Sequence, residues 1–276
     1  MTEGTKQGRS SVDPANRAGD ANGGPRAPDA QGTVEAFASQ VLSRVAANSQ
    51  ATRGALRQDL LEDLIASVMT FDDSARLAVL ARFRDAGISH AGIVDRYLPA
   101  AARKLGAAWC EDSMSFADVT IGSSRLQALL RDLRAPQVSA PDAPSVLIVI
   151  PENAYHTLGA GVLADQLRRL GASPRMALGL PALDLAELVE THDFNAVMIS
   201  AASSQRLETL RELVKCVRVA ARQPVPIIIG GTVMEKDTDI KTLTGADYVS
   251  NNPEEALGAC GLTIQTHAVE PPERRG

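Results

Sequence analysis

A histidine stands three residues before a glycine in the stretch "PENAYHTLGAG", Pro151 to Gly161, directly after the aliphatic run "SVLIVI". On a loop between a strand and a helix, this histidine and glycine suggest a ligand site, and the imidazole of His156 can coordinate a metal. The other histidines are His90, His192 and His267. His90 falls at a helix N-cap, His192 ends a helix where a cation suits the dipole, and His267 sits in the tail. Further along, Ser200, Ser203 and Ser204 in "SAASS" offer hydroxyls, and Gly230 and Gly231 precede Thr232 in "GGTVM". The single tryptophan, Trp109, is followed by Cys110. No nucleophile–base pair, acid pair or closed metal cluster is visible. The residues therefore point to a ligand-binding protein and not to an enzyme.

The elements that position these residues alternate. Strand "VLIVI" leads to helix "GAGVLADQLRRLGA", then strand "RMALGL", helix "ALDLAELVETH", strand "AVMIS" and helix "SQRLETLRELVKCVRVAA". Strand "PIIIGG", a short helix after Thr232, strand "DYVS" and helix "NPEEALGACG" complete the series. Continuous aliphatic strands between amphipathic helices form a parallel sheet covered on both faces. The expectation is a five-stranded flavodoxin-like domain over 145–264. Its ligand rim lies beyond the carboxyl ends of the strands. The loops "PENAYHTLG", "SAASS", "GGTVM" and "SNNPEE" line that rim.

Residues 34–134 read as a helical bundle. Leu56, Leu60, Leu61, Leu64, Ile65, Val68 and Met69 recur on one helical face. Asp73 or Ser74 caps the next helix, which closes on Gly87. A third stripe runs through Ile93, Tyr97, Leu98, Ala101, Leu105, Ala108 and Trp109, with Pro99 marking a kink or a late start. "SFADVTIGSSRLQALLRDLR" is a further helix. Four or five helices with short connections form an antiparallel bundle. Residues 135–144 are a linker rich in Pro, Ala and Ser. Residues 1–33 hold almost nothing large and apolar and are expected to be disordered, and 265–276 form a similar tail.

The 276 residues carry a net charge of −5, with lysine and arginine scattered, which excludes a nucleic-acid surface of the chain's own. No helix-turn-helix pattern, transmembrane window or signal core is present. Three separated cysteines, Cys110, Cys216 and Cys260, form no disulfide or zinc pattern. A cytoplasmic location follows. Cys110 reads as a packed small residue, and core packing is the default for Met114 and Phe116.

A bundle followed by this domain, with "HTLG" after the first strand, Ser200 after the third and Gly230–Gly231 after the fourth, resembles the cobalamin-binding module of corrinoid methyltransferases and light-sensing regulators. "WCEDSMSFADVTIGSSRLQ", which fits the pattern WxxDxxxFxxVTIGxxRLQ, is similar in particular to the AerR/PpaA family of photosynthesis-gene regulators. The resemblance implies His156 as the lower axial ligand of cobalt and Gly159 as the glycine that opens the helix. Ser200 would meet the cofactor's nucleotide tail, and Gly230 and Gly231 would make room for it. Glu152, Tyr155, Thr157, Leu158, Ser203 and Thr232 would border the cofactor, and Trp109 would overlie its upper face. The aspartate of the module's signature is replaced by Ala154, so Glu152, Asn153 or a backbone carbonyl must orient the imidazole. The Glu-His pair of light-sensing relatives is replaced by Val119 and Thr120, and a candidate upper-ligand position by Cys110.

That family implies a light-responsive, and in some members redox-responsive, regulator without a DNA-binding domain. It acts as antirepressor or modulator through a repressor protein of photosystem genes. Two alternatives share the pocket: a haem-binding redox sensor, and a corrinoid carrier subunit of a methyltransferase.

Overall fold

A computed structural model describes residues 55–134, 140–152, 154 and 157–262. They belong to one compact unit that begins at Ala55. The leader, any helix before residue 55 and the tail lie outside the described residues.

Helix α1, Gln58–Met69, buries Leu60, Leu61, Leu64 and Val68, and Leu56, Ile65 and Met69 pack at its margin. Helix α2, Asp73–Asp85, is capped by Asp72 and not by Asp73 or Ser74: its carboxylate accepts from the Ser74 amide at 2.8 Å and from the Ser74 hydroxyl at 2.7 Å. The cap falls one residue earlier because the chain is still extended at Asp72. Gly87 closes this segment at φ +72°. Phe83 of α2 meets Tyr97 edge-on, ring centroids 4.7 Å apart, and both are buried.

The third stripe is one continuous rod in three parts: α3, His90–Gly92, a π-turn over Ile93–Tyr97, and α4, Leu98–Cys110. Pro99 explains the middle part. Its ring would collide with the carbonyl four residues back in a regular helix. The widened turn relieves this, with the Leu98 amide donating five residues back to the Ile93 carbonyl. The expected kink is thus a π-turn that keeps Ile93, Val94 and Tyr97 in the core.

Helix α5, Phe116–Asp132, starts at Ser115, whose hydroxyl accepts from the Asp118 amide. It lies close to its neighbours: a Cβ on Gly122 would come within 2.9 Å of Leu105 and 3.1 Å of the Met69 sulfur.

The sheet is wholly parallel, in the order β2-β1-β3-β4-β5. Its strands are β1, Ser145–Ile150, β2, Ser173–Leu178, β3, Ala196–Ser200, β4, Ile227–Gly230, and β5, Tyr248–Val249. Strand β2 begins two residues before the expected "RMALGL". One face carries Leu147, Val149, Val197, Ile199, Ile227 and Ile229. It is covered by α7, Ala182–Thr191, α8, Leu207–Ala220, and α9, Ile240–Thr244. The short helix after Thr232 is a 3₁₀ turn, Thr232–Glu235. Helix α9 was not foreseen; Asp239 caps it.

The other face, with Val146, Ile148 and Met198, is covered by α6, Thr157–Arg169, and α10, Pro253–Ala259. Helix α6 belongs to two cores. Ala160, Ala164 and Leu167 face the sheet, whereas Val162 is buried in the bundle's core with Leu158 packed against it. At Gly161 the two parts come so close that a Cβ would lie 2.8 Å from Leu130 of α5. Arg169 of α6 reaches Asp95 in the π-turn and, at 2.9 Å, Asp165 on its own helix. No helix among the described residues is long and apolar enough to cross a membrane.

Candidate functional site

The strand-end rim is built from short segments that hold one another. After β1, Pro151 is buried, Glu152 is exposed, and the Ala154 amide donates to the Pro151 carbonyl at 3.1 Å. Asn153, Tyr155 and His156 lie outside the described residues. Helix α6 starts at Thr157, half-buried like Leu158, and the Thr157 hydroxyl accepts from the Gln127 side chain of α5 at 3.0 Å. Gly159 is the third residue of this helix, exposed, and a Cβ there would meet nothing within 4 Å. The described protein therefore places no steric demand for glycine at this position.

Ser200 ends β3 and is half-buried, and among the described residues its hydroxyl makes no hydrogen bond. Ser203 and Ser204 are exposed; the Ser203 amide donates to the Thr232 hydroxyl at 2.9 Å, which ties the third loop to the fourth. The glycine pair has a reason inside the protein itself. A Cβ on Gly230 would lie 2.6 Å from the Ser250 carbonyl. One on Gly231, whose φ is +100°, would lie 2.3 Å from the Ala201 carbonyl. Both glycines let the ends of β3, β4 and β5 converge.

Asn251 completes that convergence and was not singled out from sequence. Its amide oxygen accepts from the Gly231 amide at 2.5 Å, and its amide nitrogen donates to the Gly231 carbonyl at 3.3 Å. Its only sequence signal is an asparagine in a loop after a strand, where such side chains bond local backbone. Next to it, Asn252 caps α10, and the Ser250 hydroxyl donates to Glu255 at 2.9 Å.

Trp109 sits where its stripe leaves the bundle. Leu105 is 1% exposed, but Trp109 is 50% exposed and Cys110 is exposed. The expectation of a packed Cys110 is thus corrected: it is the last residue of α4, beyond the reach of the core. Phe116 is likewise 70% exposed and not core. Trp109 and Phe116 face each other at 6.1 Å, tilted by 58°. With Met69, Met114 and Asp118 they line an open groove of about 510 Å³, formed by bundle residues only. Two residues beyond Met69, Phe71 is 88% exposed, with the Arg125 guanidinium 4.3 Å over its ring. Arg125 is held there by the carbonyls of Val68 and Thr70. A lone loop phenylalanine gives no sequence signal of such a pairing.

Two thiols are muted. Burial pushes both Cys216 and Cys260 up, and the Asp247 carboxylate adds to the effect at Cys260.

Residues 144–260 match the family model described as the B12 binding domain. An uncharacterized 20.5 kDa protein in the bchF-crtJ intergenic region of Rhodobacter capsulatus is 37% identical over 174 residues, covering 62% of this chain and 91% of that protein. The chain belongs to that protein's family and carries a B12-binding domain.

The fold agrees. The monomethylamine corrinoid protein of Methanosarcina barkeri matches with a TM-score of 0.58 at 15% identity, over 75% of this chain and 99% of that one. It shares the helical part and the parallel sheet with this family member. The rim also suits a cofactor bearing a polar tail: Ser200 has a hydroxyl without a partner among the described residues, and Gly159 leaves open space where a side chain would stand.

Proposed function

We propose that this protein is a cobalamin-binding, light-responsive regulator that lacks a DNA-binding domain of its own and acts on a repressor of photosystem genes. The match of residues 144–260 to the B12 binding domain carries the cofactor half of this reading. The relative between bchF and crtJ, consistent with a photosynthesis-cluster protein, supports the link to photosystem genes.

His156 would hold the metal, Ser200 and Ser203 would offer hydroxyls to the cofactor, and Gly159 would leave room for it. Trp109, with Met114 and Phe116, would cover the cofactor from the bundle side. An alkylcobalamin supplies a light-sensitive metal–carbon bond when bound. The chain's own part is to position and to respond. Helix α6 leads away from the rim and is packed into the bundle by Leu158 and Val162, so a change at the rim alters how the bundle sits. A regulator works by such a two-state element, biased by different contacts in its two states.

The test is an absorbance spectrum of the purified protein with hydroxo-, methyl- and adenosylcobalamin, and separately with haemin, dark and illuminated. A cobalamin spectrum that shifts on binding and changes with light, and is lost in His156→Ala, is expected. Binding of haemin alone would overturn the cofactor assignment in favour of a haem sensor. The fold shared with a corrinoid protein also suits a carrier subunit. Methyl transfer from the loaded protein to a thiol acceptor, with no response to light, would favour that role.

A further inference from the structure

Helix α5 ends the "RLQ" motif on Gln127, a residue to which neither cofactor binding nor core packing gives a part. Its amide nitrogen donates to the Thr157 hydroxyl at 3.0 Å across 30 residues of sequence, in a half-buried setting. Thr157 directly follows His156 and is the first residue of α6. The signature's aspartate is absent on that loop, where Ala154 stands. We infer that Gln127 is a positioning residue: the bundle, through the Gln127–Thr157 hydrogen bond, sets the start of α6 at the residue that directly follows His156, the side chain that would hold the cofactor's metal. This deepens the cobalamin-binding reading and rests on it.

Three neighbouring contacts make the bond a defined constraint. One turn further, Leu130 fills the space over Gly161, so α5 and α6 cannot slide without a clash. Val162 and Leu158 anchor the same face of α6 in the bundle. At the far end Arg169 joins Asp95 of the π-turn. With α6 fixed along its length, Gln127 governs its first residue. A hydroxyl at 157 that is oriented from α5 defines how the chain enters the helix.

The experiment compares Gln127→Leu, Thr157→Val and the double variant with the wild type, using hydroxocobalamin as the probe. Affinity is expected to fall on the order of 10- to 100-fold in each single variant, the range seen when a ligand's supporting partner is removed. The double variant should lose no more than either single one, because the two act through one bond. Thr157→Ser, which keeps the hydroxyl, should restore both the affinity and the bound spectrum. In the cofactor-free protein, amide exchange over the first turn of α6 should quicken in the variants while that of β1 stays unchanged. Wild-type binding with equal affinity and spectrum in Gln127→Leu would overturn this inference and leave the proposed function intact. Failure of the wild type to bind would instead overturn the proposed function.

Discussion

The carbonyl of Ala201 occupies the place where a side chain on residue 231 would stand: a Cβ on Gly231 would lie 2.3 Å from it. The backbone at Gly231 is also in the region that disfavours side chains, at φ +100°. Gly231→Ala is therefore expected to lower stability by roughly 2–5 kcal/mol, from strain and overpacking together. A urea titration of the cofactor-free protein checks it, and a midpoint equal to wild type would contradict the packing described at this rim.

Gly159→Ala should behave in the opposite way. The position is helical and a Cβ there meets nothing, so the substitution is expected to stabilise the cofactor-free protein by up to about 1 kcal/mol. The same methyl should weaken hydroxocobalamin binding if the open space is ligand space. Measuring melting and binding on one preparation separates the two effects.

Trp109 and Leu105 lie one turn apart on α4 with very different burial. Leu105→Ala is expected to cost about 2–5 kcal/mol, as a buried leucine does. Trp109→Ala should cost less than about 1 kcal/mol. As the chain's only tryptophan, Trp109 should show the emission of a half-solvated indole, quenched when cobalamin is added. An emission unchanged by a saturating cofactor would remove Trp109 from the upper face.

The acid response of two helix caps has a defined sign. The side-chain hydroxyls of Ser74 and Thr242, with the corresponding backbone amides, hold the carboxyls of Asp72 and Asp239 below the usual carboxylate range. A depressed folded pKa contributes stability above the unfolded value of about 3.9 and loses it as pH falls through the folded value. The stability gap between wild type and Asp239→Ala should thus be constant from neutral pH to about 5 and close below about 4. Chemical denaturation at each pH reads this directly.

Thiol labelling should discriminate the cysteines. Cys110 is exposed, whereas burial raises Cys216 and Cys260 and lowers their thiolate fraction. One fast equivalent of a thiol reagent, mapped to Cys110, is expected before denaturation.

Much of this was legible in the sequence because the periodicities were strong. The aliphatic strands and the stripe from Leu56 to Met69 dictate their own burial, and the change from helical to alternating pattern after Arg134 separates the two layers. What the sequence conceals is tertiary. The π-turn at Ile93–Tyr97 follows from a proline whose effect depends on the carbonyl behind it, and three outcomes satisfy that clash. The glycine pair reads equally as ligand clearance or as chain clearance until Ser250 and Ala201 are placed. Asn251 and Gln127 act across 20 and 30 residues, and no local pattern announces such bonds. Phe116 and Cys110 have residue types that suit a core, yet the bundle ends before it reaches them.

The match to the B12 binding domain begins at residue 144, but the folded unit does not. A fragment cut there would keep every strand and every rim loop while baring Val162 and Leu158, whose partners in the bundle core lie upstream of the cut. It would also leave Arg169 without Asp95. Such a fragment has one oily helix face, with Arg169 keeping Asp165 but not Asp95, and self-association is its natural escape. For this protein, the edge of the family match at residue 144 is not an edge of the folded unit.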